Sequence, residues 1–287
     1  MNINFNNNTL QIQKFDMNNL LFDSKGEKIH PKIAIVGKNQ TGKSWLIRDI
    51  MYIIQKIESG IVITPDENHF KFYSESIPSS NIHVGYNKDI LTKFLLKQDL
   101  ELDINIGDNR KYVVFDDCIN SLYDILNDGN IINIYLCGKH YQFTFIYSTH
   151  NHNTIPLQYK NQFDYIFLFK EHSLFTKKKI YKNFGKGIPS YNVFNQIFTQ
   201  ITHNYDCMVI KKKSNKKWSF SNNIYWHRSK KRKDFKVGID DNINTKSLLE
   251  SYKINTEDDT EDDCITNNEY HDTDYDDNMR VFHMTNN

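Results

Sequence analysis

Apolar residues along the 287-residue chain gather in short dense runs, and between those runs they recur at helical spacing. Lys32-Ile33-Ala34-Ile35-Val36 is such a run, β-branched and apolar after its first residue, and it predicts a strand buried on both faces of a parallel sheet. Residues 45–54 repeat Trp45, Leu46, Ile50, Ile53 and Ile54 at the period of a helix. Residues 60–64 predict a second strand, 81–86 a weaker one, and 89–98 an amphipathic helix. A third core strand is expected over 111–116, a helix over 121–134 despite Gly129, and strands over 142–147 and 164–169. Alternation of this kind predicts an α/β fold, a mainly parallel sheet flanked by helices.

Beyond Lys170 the pattern changes. Residues 190–202 predict a helix with Val193, Phe194, Ile197, Phe198 and Ile201 on one face. Residues 208–213 and 218–225 predict two strands of a C-terminal β-hairpin, joined by a polar turn at Ser214-Asn215. From Ile239 the hydrophobic density collapses, and 257–277 is too acidic and too poor in aliphatic residues to fold alone. No internal repeat is visible.

Composition adds three limits. The length suits one sizeable α/β core, and 14% aromatic residues promise that a core exists. The polar, Asn-rich stretch Met1 to Leu10 has no apolar core of a signal peptide, and no apolar run approaches a membrane span, so no membrane association is expected. Cys118, Cys137, Cys207 and Cys264 lack metal-type spacing and read as reduced thiols. The net charge of +1 hides an asymmetry: residues 239–287 carry 14 acidic and 3 basic side chains, whereas the rest carries 33 basic and 21 acidic. Residues 209–238 alone hold 11 basic side chains against Asp234. A basic body with an acidic tail suits a nucleic-acid protein with a masking or partner-binding extension; a solvated face with a solubilising tail would look the same.

The chemistry begins at Gly37-Lys38-Asn39-Gln40-Thr41-Gly42-Lys43-Ser44, which fits G-x-x-x-x-G-K-[ST] between a predicted strand and a predicted helix. In that context, called Walker A, the glycines bring backbone N–H groups onto phosphate oxygens and the helix offers its positive end. Lys43 is expected to reach the β- and γ-phosphates of ATP, and the Ser44 hydroxyl to ligate Mg²⁺. Val113-Val114-Phe115-Asp116-Asp117 has the form of a Walker B strand, with Asp116 holding the metal and Asp117 polarising the attacking water. The strand 143–147 runs into Ser148-Thr149-His150, where a polar sensor of the γ-phosphate is expected. His150 is the first choice and Thr149 the second; an ordinary exposed loop histidine is the competing reading. His150-Asn151-His152 lacks the ligands to complete a metal site.

These segments, in this order, resemble the poxvirus-type genome-packaging ATPases of large nucleocytoplasmic DNA viruses, a branch of the FtsK–HerA superfamily of P-loop NTPases. The resemblance covers about residues 20–228. It rests on 33–48, Gly60-Ile61-Val62-Ile63-Thr64-Pro65, Val113 to Cys118, Gly138-Lys139-His140-Tyr141, Thr154-Ile155-Pro156 through Lys160-Asn161 to 164–169, and Thr202. It implies a RecA-like P-loop NTPase core at 21–228, completed by the C-terminal helix and hairpin. Around it lie a polar N-terminal arm at 1–20, a basic segment at 229–238 and an acidic disordered tail at 239–287. It also implies ATP hydrolysis that pumps double-stranded DNA, without sequence preference, into a preformed capsid. The expected assembly is a homo-oligomeric ring, a hexamer, working with capsid or other virion assembly proteins in the host cytoplasm, at the viral factory, or in the virion. The family carries Gln at the sensor position and Arg at the positions aligned with Lys139 and Lys160. Lysine offers a point charge where an arginine finger offers a planar fork. Either Lys160 acts on the neighbouring subunit, or another residue such as Arg110 does, or turnover is weak; simple surface charge at Lys139 and Lys160 is the competing reading. Lys211, Lys212, Lys213, Lys216, Lys217, Lys230, Lys231, Arg232 and Lys233 are available to neutralise DNA phosphates, and Trp218, Phe220, Tyr225 and Trp226 are expected to be the packed face of the hairpin.

Overall fold

Strands form where the chain is β-branched and apolar, and the computed structural model describes them within residues 1–5, 8–104, 108–119, 127–212, 217–233 and 235–238. The acidic tail 239–287, residues 121–126 of the expected helix, the Ser214-Asn215 turn, Lys213, Lys216 and Cys264 lie outside the described residues. In chain order the strands are β1 (Asn2–Phe5), β2 (Asn8–Gln11), β3 (Gln13–Lys14), β4 (Lys32–Val36), β5 (Ser59–Thr64), β6 (Ile82–Val84), β7 (Lys111–Asp116), β8 (Phe143–Thr149), β9 (Tyr165–Leu168), β10 (Asp206–Lys211) and β11 (Ile224–Arg228). The helices are α1 (Lys43–Ile53), α2 (Glu67–Ser74), α3 (Lys88–Ile104), α4 (Gly129–Cys137), α5 (Leu174–Phe184), α6 (Tyr191–Ile201) and the single turn α7 (Phe220–Asn223).

One sheet runs in the order β3-β11-β10-β9-β4-β8-β7-β5-β6, parallel from β9 to β6, with β10 antiparallel to both β9 and β11. Alternate residues of each strand face opposite layers. Ala34, Val36, Val113, Phe115, Phe145 and Tyr147 pack with α3 to α6, whereas Ile33, Ile35, Val114 and Ile146 pack with α1 and α2. The fully buried stripe Phe194, Ile197, Phe198 and Ile201 fixes α6, each such side chain contributing about 1.5–3 kcal/mol. The mixed α/β architecture, with a mostly parallel central sheet flanked by helices, is the one the hydrophobic pattern predicts.

Three local differences have physical causes. The second hairpin strand starts at Ile224 rather than near Trp218, because Ser219 caps α7 by accepting from the Asn222 N–H and Asn223 bonds the Lys211 carbonyl. Trp218, Phe220 and Trp226 still pack against one core layer and Tyr225 against the other. Residues 1–20 are not a free arm: Ile3 and Ile12 are fully buried, β3 pairs with β11, and Phe15 lies between the rings of Tyr165, Phe167 and Tyr225. Residues 229–238 run back across α1, where Phe235 and Val237 enter the core and the Val237 N–H donates to the Ser76 carbonyl.

Candidate functional site

Register brings the chemistry to one edge. Asp116 pairs with Ser148 across β7 and β8, and Val36 lies between Thr149 on β8 and Leu168 on β9. The carboxyl ends of four parallel strands therefore meet where the strand order reverses, the usual ligand crevice of an open α/β sheet. Here the chain leaves β4, turns through residues 37–42 and opens α1 at Lys43.

Two glycines make that turn possible. A Cβ on Gly37 would lie 2.6 Å from Phe169 Cβ and 2.7 Å from Thr41 Oγ1, and Gly42 has φ +107°, a conformation that side-chain-bearing residues resist. The Thr41 hydroxyl and Lys43 ammonium both donate to the Lys38 carbonyl, at 2.7 and 3.3 Å. Lys38 itself ion-pairs at 2.9 Å with buried Glu171. Burial pushes the Glu171 carboxyl up, but the Ser173 N–H and the Lys38 ammonium outweigh it and leave it below the ordinary glutamate value. These contacts hold the loop in its turn. Asn39 and Gln40 line the mouth of the cavity in front of it.

Opposite the loop stand the two acids. Asp116 is 1% exposed; its Oδ2 accepts from the Ser44 hydroxyl at 2.9 Å and from the Tyr73 hydroxyl at 2.7 Å. Burial and the Asp116 charge push the Tyr73 phenol far above its ordinary range, so it stays a donor. Asp116 Oδ1 and Ser148 Oγ are buried without a hydrogen-bond partner. Two unpaired oxygen atoms on register-paired residues, with the Ser44 hydroxyl against the same carboxylate, suit a hard cation that takes oxygen ligands. Among the described residues no group of three or more His, Cys, Asp or Glu side chains forms a self-sufficient metal cage. Mg²⁺ commonly binds through one or two protein ligands plus substrate phosphates.

Asp117 stands at φ +54°, its N–H donating to the Ser148 carbonyl at 3.0 Å. That turn aims its carboxylate at the loop: Oδ2 is 3.5 Å from the Lys43 ammonium, and Oδ1 lies 2.7 Å from His150 Nδ1 and accepts the His150 N–H. His150 is half exposed and lines the cavity. Thr149 is buried, and its hydroxyl is engaged with the Asn151 N–H and Thr154.

Lys160 sits in the β8–β9 connection, 8% exposed, and burial lowers the pKa of its ammonium. Side chains from elsewhere line the cavity. Lys139 is exposed at the other end of the sheet, 3.6 Å from Asp164. Arg110, at that end too, grips Asp108 with two nitrogens and holds its carboxyl at about 2. Lys160 is thus buried within its own chain, whereas Lys139 is exposed.

A cavity of about 890 Å³ joins the loop residues Asn39, Gln40, Gly42, Lys43 and Ser44 to Asp116, Asp117 and His150, a size that suits a nucleotide. Besides the residues above, Trp45, Phe72, His69, Tyr205, Ser229, Lys230 and Lys231 line it. Sequence reasoning missed Tyr73, Ser148, Glu171 and Tyr205, since no local spacing marks them. It grouped Lys230, Lys231 and Arg232 with the basic patch. The fold separates them from Lys211, Lys212 and Lys217: two line this cavity, and the Arg232 Nε donates to fully buried Asp49 at 2.7 Å.

Cys118 directly follows Asp117, next to the site. Cys118, Cys137 and Cys207 form no disulfide, and burial pushes the Cys118 and Cys207 thiols up out of the reactive range. No described helix is long and apolar enough to cross a membrane.

No protein-family model matches the chain. An uncharacterized protein of Acanthamoeba polyphaga mimivirus is 28% identical over 238 residues, covering 79% of this chain and 80% of its own length. Among solved structures, the genome packaging NTPase of Sulfolobus turreted icosahedral virus 2 in complex with sulfate superposes with TM-score 0.50 at 15% identity. That match spans 72% of this chain and all of the other. The cytoplasmic domain of the Thermomonospora curvata type VII secretion ATPase EccC superposes equally well, TM-score 0.50 at 9% identity, over 73% of this chain and 26% of its own. The fold is that of a P-loop NTPase, and the sequence relatives come from large DNA viruses.

Proposed function

We propose that this chain is an ATP-driven motor that moves viral double-stranded DNA into a preformed capsid during virion assembly. One observation carries the reading: the Ser44 hydroxyl and Lys43 ammonium meet Asp116 and Asp117 at the mouth of a nucleotide-sized cavity. Backbone N–H groups of 37–44 receive the phosphates, and Lys43 neutralises charge between β and γ. Ser44 and Asp116 would hold Mg²⁺, which supplies further charge neutralisation when bound. Asp117 aligns a water on the γ-phosphorus. As the new P–O bond forms and the bond to the β-phosphate oxygen breaks, the water's proton passes to the Asp117 carboxylate. His150, fixed on Asp117 Oδ1, orients that water and follows the phosphate.

Lys211, Lys212 and Lys217 provide positive charge at the end of the sheet away from the cavity, suited to phosphates of any DNA sequence. A ring of subunits is the assembly proposed, with Lys139 the exposed lysine available to a neighbour. Fold alone does not decide cargo, so another DNA-translocating ATPase of the same superfamily is the nearest variant of this reading. A second reading, a nucleotide-ordered structural or regulatory protein with weak hydrolysis, is favoured by the burial of Lys160.

Steady-state hydrolysis by the assembled protein, with and without linear DNA, tests the motor. Double-stranded DNA of any sequence is expected to stimulate turnover, Lys43→Ala to abolish it, and Asp117→Asn to bind ATP without splitting it. Slow hydrolysis indifferent to DNA would overturn the motor; nucleotide binding with no single-turnover cleavage would leave the structural reading.

A further inference from the structure

The cavity extends past the phosphate loop to a tyrosine that the chemistry of phosphate release does not use. Tyr205 is 71% exposed although it is large and aromatic. It follows Asn204 in a turn where both residues are left-handed, at φ +52° and +66°. Asparagine tolerates that region, but a bulky residue rarely enters it. The turn is tied down on both sides, by the His203 N–H to the Ile201 carbonyl and the Asp206 N–H to the His203 carbonyl. This geometry stands the ring beside the start of α1: Tyr205 Cδ1 is 3.8 Å from where a Cβ on Gly42 would be.

Position decides what the ring can meet. Phosphates held on the N–H groups of 42–44 leave the rest of a nucleotide to extend along the cavity wall, and Tyr205 lines that wall. So does Ser229, whose Oγ is buried without a hydrogen-bond partner. β10 begins directly after Tyr205 and β11 ends directly before Ser229, with Asp206 and Arg228 paired in register. The two side chains therefore come from adjacent ends of one strand pair. An exposed aromatic face and an unpaired hydroxyl are the complement of a purine nucleoside, which has a π-face to stack and polar edges to bond.

We infer that Tyr205 is the platform on which the nucleotide's base stacks, with the Ser229 hydroxyl bonding the base edge or the ribose. The inference rests on the nucleotide-binding reading above and specifies which part of the ligand this wall takes. Titration calorimetry of the full chain, with Mg²⁺, against ATP and separately against inorganic tripolyphosphate tests it. Tyr205→Ala is expected to raise the Kd for ATP about tenfold, the effect of removing one base-stacking aromatic. It leaves the Kd for tripolyphosphate unchanged, and Tyr205→Phe stays within about twofold of the parent for both. Tyr205→Leu, which keeps apolar bulk without a π-face, is expected to behave as Tyr205→Ala. Unchanged ATP affinity in Tyr205→Ala would overturn the inference, as would an equal loss for both ligands, which would make the ring a prop for the loop. Failure of the unsubstituted protein to bind either ligand would instead remove the nucleotide reading itself.

Discussion

One oxygen of Asp116 takes two hydrogen bonds and the other takes none. Tyr73 keeps that asymmetry, since its phenol holds Oδ2 and leaves Oδ1 facing the site. Tyr73→Phe removes a donor to a buried carboxylate, so urea unfolding is expected to show a loss of about 1–2 kcal/mol. The Mg²⁺ dependence of nucleotide binding should shift to higher concentration in the same variant, because the carboxylate loses its fixed orientation. A stability loss with an unchanged Mg²⁺ requirement would reduce Tyr73 to a packing residue. Asp117→Asn is a clean probe of charge for a backbone reason. Its position is left-handed, and asparagine accepts that conformation as readily as aspartate. The variant should fold like the parent in thermal unfolding while losing turnover.

At the scale of elements, α1 is held from outside by the segment that follows β11. Asp49, fully buried on α1, receives His227 Nε2 and the Lys230 N–H, both at 3.1 Å, as well as the Arg232 Nε. Arg232 also lies over the Tyr52 ring at 4.0 Å, and Phe235 packs edge-on against the same ring. Burial pushes the Asp49 carboxyl up; hydrogen bonds from His227, Arg232 and the Lys230 N–H overcome it, and the folded-state pKa lies below 3.8. The sign follows: this contribution is fully present above the unfolded pKa and is lost as pH falls through the lower folded value. Hydrogen-exchange protection factors of the 230–237 segment should fall below about pH 4 before those of the central strands do. Asp49→Ala strands buried His227 and is expected to destabilise the fold by about 3 kcal/mol and to open the segment to proteolysis. Protection of the 230–237 segment that is the same in Asp49→Ala and in the parent would refute this anchoring role of Asp49.

Across the whole molecule the fold sorts positive charge to two ends of one sheet. Lys230 and Lys231 stand at the carboxyl ends of the strands with the cavity. Lys28, Arg110, Lys139 and His140 line a second hollow at the opposite ends, and Lys211 pairs with Tyr165 at the start of β9. If DNA is the cargo, only the second group is free of the nucleotide. Joint replacement of Lys211, Lys212 and Lys217 by Ala should weaken double-stranded DNA uniformly across sequences. It should also flatten the slope of log K against log salt by up to about 2.7, since each phosphate contact contributes about 0.9. Basal ATP affinity should not change. A flattened slope from Lys230→Ala and Lys231→Ala instead would reverse the assignment.

Sequence by itself determined the parallel core, the glycine turn after β4 and the paired acids at the end of β7, because each is a local pattern. β-branched runs specify strands, glycines at fixed spacing specify a turn, and an acid just past an apolar run lies at a strand end. What lay between the runs was less legible: α2 and α5 are mostly polar and bury few side chains, and α2 is the element that delivers Tyr73 to Asp116. Asn-rich surroundings masked the buried Ile3 and Ile12 at the N-terminus. Only the tertiary structure decided that Ser148 pairs with Asp116, that Lys160 is buried, and that Tyr205 and Ser229 share a wall with Gly42. Those facts depend on strand register and on chain returns between residues far apart in sequence, as Asp49 is from Arg232. No local periodicity encodes which distant segment a side chain will meet; that is settled when the sheet assembles and one packing excludes the others.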